Sequence, residues 1–266
     1  MTTPSDSAEA SKKSFSPLLI IVVFIQVILA TNARTRPLLS ILGLALIITL
    51  VHLGGFVIAA LLARVPIEEI RFFYGPKLLQ WKIGWTTLSI GCIPGGSVSC
   101  KKIEEAVGAV DQRSFEVLPT YWRVAIIASG PLALFALGSV CIGSAETARS
   151  FVRGFQQVII GAILPLSEGH SLVAKTVEIF QSKGFVVVLG ILASKMTAQN
   201  LLPIPPANGG QLLLELLGNR FRNSRARYVT TFFCLFVFIL MLIGWLIAVG
   251  KFIFESFPGV LASENA

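Results

Sequence analysis

"PLLSILGLALIITLVHLGGFVIAALL", Pro37 to Leu62, runs without one charged residue. About 20 apolar residues in a helix are enough to cross a hydrocarbon core roughly 30 Å thick. A helix is the form a lone segment takes there, because it satisfies its own backbone groups where no water is available. The stretch therefore reads as a spanning helix. One imidazole, His52, sits inside it, preceded by Val51 and followed by Gly54 and Gly55. An ionisable ring at that depth is a functional hypothesis by default.

The rest of the chain has the same character. Of its 266 residues 54% are hydrophobic and 14% charged, with a mean hydropathy of +0.78. Soluble domains carry about 25% charged residues, so the composition is that of an α-helical multi-pass integral membrane protein. The net charge of +8 comes from lysines and arginines scattered through loops, with no aromatic-interleaved patch. In a membrane chain such an excess sets topology through the positive-inside rule, and nucleic acid is not an expected partner. Cys92, Cys100, Cys141 and Cys234 form no CxxC pair and no metal-ligand spacing, so they read as small hydrophobes.

Along the chain, residues 1–15 are polar and Ser-rich and read as a disordered tail; 16–266 read as a single membrane-embedded domain. "SPLLIIVVFIQVILAT", Ser16 to Thr31, follows two lysines without a convincing cleavage site and is expected to be an N-terminal anchor helix. After the helix ending at Leu62, residues 66–100 mix aromatic and β-branched residues with Gly-Pro and Pro-Gly-Gly punctuation. This predicts short strands and turns. A sheet there must lie at the interface or be enclosed by protein, since an open edge in lipid leaves backbone groups unpaired. Residues 101–120 read as a charged linker, "YWRVAIIASGPLALFALGSVCIG" as a second span, and 144–184 as amphipathic, with "LSEGHSL" around His170 weakly structured. "FVVVLGILASKMTAQNLL" reads as a third core span entering the loop "PIPPANGG". A last span covers about Tyr228 to Phe254. Eight basic residues in 64–123 and four arginines in 220–227 place both segments on the cytoplasmic side. "VHLGG" and "PANGG" then approach the same leaflet, where they can share one site.

Four stretches, in order, carry a resemblance: "VHLGGF" from Val51, "FYGPKLLQWKIG" with "CIPGGSVS", "ASGPLALF", and "NLLPIPPANGG" from Asn200. Together they resemble the HExGHF, FGPKL and IPLGGYV-like, AGPLANF-like and NLLPIPPLDGG stretches of site-2 proteases, which are intramembrane zinc metalloproteases. The resemblance covers about residues 40–245. It implies a core of about four helices, one N-terminal helix and a small interfacial sheet. The interval 144–184 is too short for the PDZ domains that many relatives carry.

The resemblance puts the first zinc histidine at Val51, the general-base glutamate at His52, the second zinc histidine at Gly55 and the carboxylate ligand at Asn208. Catalytic zinc takes three protein ligands and an open position for water, and hydrolysis needs a base for that water's proton. Valine and glycine have no lone pair to offer, and Asn208 is neutral. Moving the register does not help, because His52 has Ile48 and Phe56 four residues either side. The expectation is a pseudoprotease with no catalytic residues, no metal and no cofactor. Binding candidates are His52, Lys195, Asn200, Pro205, Asn208 and Gly209. His52 is otherwise satisfied by a loop carbonyl or by Asn208. Lys195 holds an acidic group, or else snorkels or lines a wet cavity. The proline-glycine loop clamps an extended strand or is a rigid turn, and the sheet edge accepts a strand or is covered. Expected partners are another membrane protein or transmembrane segment, and lipid, in the bacterial cytoplasmic (inner) membrane. Two other readings remain open: an intramembrane metallopeptidase with an atypical metal site around His52, and a transporter or channel using Lys195 and His52.

Overall fold

A computed structural model describes residues 36–91, 93–100, 114–205, 207–218 and 225–256. The tail 1–15, the helix expected over 16–31, Cys92, linker residues 101–113 and the Arg-rich stretch 219–224 lie outside these described residues. The fold class matches expectation: mostly helical, with a four-stranded sheet and candidate membrane spans. The described elements are α1 (Arg36–Leu62), β1 (Ile67–Tyr74), β2 (Leu79–Ile83), β3 (Thr86–Ile90), β4 (Ile93–Cys100), a 3-10 turn (Phe115–Val117), α2 (Thr120–Ile142), α3 (Ser144–Ile163), a π turn (Pro165–Gly169), α4 (His170–Ser182), α5 (Phe185–Asn200), α6 (Asn208–Leu216) and α7 (Arg225–Ser256). The described residues fall into two compact units, one drawn from 36–53 and 60–117, the other from 54–59 and 118–256.

The first unit holds the sheet. Its strand order is β2-β3-β1-β4, with β1 parallel to β3 and antiparallel to β4, and β2 antiparallel to β3. The turn signals at "FYGPKL" and "CIPGG" have a direct structural use. The register of β1 on β4 slips between Phe72 and Tyr74, and Phe73 takes a left-handed φ of 62° at that slip. A bulge of this kind re-aims side chains, and here the Tyr74 hydroxyl reaches the Gly96 carbonyl at 2.6 Å. Gly96 also admits the helix: a Cβ there would lie 2.8 Å from Leu53 Cδ1 on α1. Leu53 is 1% exposed, so the missing side chain in β4 is the socket that seats the helix on the sheet.

Glu69 organises the polar side of the sheet. Its carboxylate accepts from Ser89 Oγ at 2.8 Å and pairs with Arg71 at 3.0 Å and Lys77 at 3.2 Å. Burial pushes this carboxyl up, but the Ser89 hydrogen bond and then those from Arg71 and Lys77 outweigh it, and the pKa ends below its ordinary 4.5.

The second unit is a helical bundle. Among the described residues three helical segments are long and apolar enough to cross a membrane: Gly43–Leu62, Thr120–Ile142 and Tyr228–Glu255. A fourth span exists if the bent pair Ser144–Ile163 and Pro165–Ser182 counts as one. The pair bends by 117° where Pro165 removes a backbone donor and its ring blocks the preceding turn. Here the expectation of a weakly structured "LSEGHSL" is corrected. Pro165 starts a new helical run, which passes through the π turn directly into α4 at His170. The expected span from Phe185 is 16 residues long as a helix, about 24 Å at 1.5 Å per residue, because Pro203 and Pro205 stop it early.

Small residues bring the bundle together, as expected where lipid removes the hydrophobic drive between helices. Gly190 on α5 faces Cys141 Cβ at 2.8 Å, and Gly138 on α2 faces Ser194 Oγ at 2.7 Å, both measured from an added Cβ. The Trp245 indole on α7 donates to the Val158 carbonyl on α3 at 3.0 Å.

Because the Glu69 pKa is lowered on folding, its stabilisation is present above the ordinary carboxylate pKa and fades as pH falls through the lowered value. Glu69→Gln is expected to speed amide exchange in β1 and β3 near pH 7. The difference from wild type should shrink as pH falls and the carboxylate takes up its proton; a gap that stays the same across the acid unfolding range would contradict the assignment.

Candidate functional site

The candidate site begins on α1, where Val51, His52 and Gly55 follow one another at helical spacing. Val51 and His52 are half-buried and fall with the sheet unit; Gly55 falls with the bundle unit. The geometry at Gly55 is tight. A Cβ built there would lie 2.6 Å from the Ser129 carbonyl oxygen and 3.0 Å from Ala133 Cβ, both on α2. Backbone cannot move aside as a flexible side-chain end can, so α1 and α2 touch at this point. The position that the family resemblance gives to a zinc histidine has no room for a side chain.

A separate group of candidate residues lies in the bundle unit, at the turn from α5 into α6. Asn200 ends α5 and donates through Nδ2 to the Met196 carbonyl at 2.8 Å. Asn208 opens α6, and its Nδ2 reaches the Asn200 Oδ1 at 3.5 Å, the long limit for such a bond. The structure thus brings Asn200 and Asn208 together. Pro205 is buried, and a Cβ on Gly210 would run into its backbone nitrogen; one on Gly209 would run into the Leu201 carbonyl. The chain entering α6 comes back against Leu201 and Pro205, with Gly209 and Gly210 where a side chain would collide. Lys195 lies elsewhere, on the face of α5 turned to α3, beside Gly154.

Sequence reasoning passed over one pair in this region. Arg123 Nε in the first turn of α2 and Glu215 Oε2 near the end of α6 form an ion pair at 2.8 Å, with side chains only 7% and 13% exposed. It pins the short helix that carries Asn208 to α2. A lone arginine in a spanning segment and a lone glutamate in an apolar short helix were the available signal, since such charges pair when buried.

Zinc does not fit this donor set. Val51 and Gly55 supply no donor atom, and Asn208 supplies a neutral amide already turned to Asn200. Among the described residues no three His, Cys, Asp or Glu side chains cluster so as to hold a metal ion. The surface on offer is a set of backbone and amide groups around a rigid turn.

A protein-family model for Peptidase family M50 matches residues 40–244. No curated protein matches the chain.

Two substitutions test the geometry. Gly55→His should cost roughly 1–3 kcal/mol through overpacking against α2, read as a lowered thermal midpoint in detergent; unchanged stability would mean the helices are not in contact. Removing one partner of the buried pair, as in Glu215→Ala, should cost about 3–5 kcal/mol, whereas Arg123→Met with Glu215→Leu should recover most of the loss.

Proposed function

The chain belongs to peptidase family M50, the site-2 protease family, and from that premise we propose that it is a catalytically inactive member whose work is binding. It holds a partner transmembrane segment, or serves as a subunit of a membrane protein complex. Its place is the bacterial cytoplasmic membrane, which it crosses several times.

The observation that carries this reading is the contact at Gly55. A lost ligand alone leaves open a rearranged metal site. Here the Ser129 carbonyl stands 2.6 Å from where a side chain would begin, and Val51 and Asn208 supply neither an imidazole nor a carboxylate. Peptide hydrolysis needs a polarised water and a base beside it, and these positions provide neither. What remains useful is shape: a bundle closed by small residues and a turn whose limbs are locked by Gly209 and Gly210. Binding needs no more than that, since a preformed surface reduces the ordering cost of association.

Purified full-length protein is expected to carry far less than one equivalent of zinc and to leave transmembrane peptide substrates uncut whether or not a chelator is present. Gentle detergent extraction should yield a defined membrane companion in fixed ratio. Stoichiometric zinc that is lost on His52→Ala, or chelator-sensitive cleavage, would overturn the inactive assignment. A protein that purifies alone from its native membrane would sink the binding role.

A further inference from the structure

Lys195 is the one charged residue on α5. Its backbone and stem press on α3 where that helix has no side chain: a Cβ on Gly154 would lie 3.3 Å from Lys195 Cα and 3.7 Å from its Cγ. On the same seam Ala198 is fully buried and would meet that Cβ at 2.9 Å. Gly154 therefore vacates the space that the lysine stem uses. One turn further along α3, the buried Oε1 of Gln157 has no hydrogen-bond partner among the described residues, and residues three apart share a helical face. Within the described residues the Lys195 ammonium makes no hydrogen bond or ion pair, although it carries three donors.

We propose that the α3–α5 seam at Lys195 is a docking seat for a carboxylate carried by a partner's transmembrane helix. The inference rests on the binding role above and names the chemistry that the partner presents. Three features select a carboxylate at depth. An ammonium in an apolar segment is costly unless it is matched. Side chains in a helix lean toward its N-terminus, so Lys195, five residues before the C-terminal end at Asn200, leans away from the nearer end and toward the middle of the helix. A group that meets it there comes from within the bilayer, so a helix-borne Asp or Glu is favoured over a lipid phosphate. Finally, the open Gln157 acceptor one turn along α3 adds a second unmatched polar group to this seam, and a bound carboxylate takes charge-assisted hydrogen bonds from the ammonium.

The test uses the full-length protein in phosphatidylcholine vesicles with a labelled leucine-rich transmembrane peptide carrying one central Glu, and the same peptide with Gln. Energy transfer should report about tenfold tighter association of the Glu peptide, the order expected of a charge-assisted hydrogen bond. Lys195→Met should lower the Glu peptide to the Gln level, and Lys195→Arg should keep the preference. Equal binding of the two peptides to wild type, or a preference that survives Lys195→Met, overturns the seat while leaving the binding role intact. No association of either peptide overturns both. A preference abolished by adding phosphatidylglycerol assigns the seat to a lipid headgroup and likewise overturns the proposal. The wild-type comparison decides the matter even if Lys195→Met fails to reconstitute.

Discussion

Helix α1 and helix α2 touch backbone to side-chain stub at Gly55, with the Ser129 carbonyl 2.6 Å from the place of a Cβ. Two helices can come so close in lipid only where one of them lacks a side chain, and the close approach is itself the source of dispersion energy that holds them. The same device recurs at Gly138 and Gly190 between α2 and α5. Glycine is a poor helix former in water, yet here it is the residue that lets the helices meet.

Polar groups are used sparingly and at joints. Arg123 and Glu215 fasten α6 to α2, the Trp245 indole fastens α7 to α3, and Thr197 Oγ1 returns to the Ala193 carbonyl within α5. Each satisfies groups whose exposure to lipid would be costly. The sheet unit follows a different economy. Its β1–β4 ladder is interrupted by register slips, and Glu69 gathers Ser89, Arg71 and Lys77 around one carboxylate.

Much of this was legible in the sequence. The uncharged run to Leu62, the span from Thr120 and the last span are written in long, mostly apolar runs, and α1, α2 and α7 appear where those runs lie. Glycine and proline punctuation announced the sheet, whose strands occupy 67–100 inside the expected 66–100. Other features could not be read locally. The "LSEGHSL" stretch reads as weakly structured, whereas neighbouring helices supply the packing that keeps both sides of the break at Pro165 helical. The shortness of α5 depends on where the prolines after it force the chain to turn. At the candidate site, residue types at 51, 52, 55 and 208 were plain in the sequence. The closeness of α2 to Gly55 was not, because contact between helices distant in the chain leaves no periodic trace.

The folded-back turn before α6 has a consequence for how such a chain can change over time. Gly209 and Gly210 carry its geometry by pressing on Leu201 and Pro205, while the half-buried side chain at position 208 reaches the Asn200 amide. The backbone geometry is thus carried by the two letters after 208. Change at 208 leaves that geometry standing, but change at its two neighbours does not, so the fold tolerates at one position what it forbids at the next two.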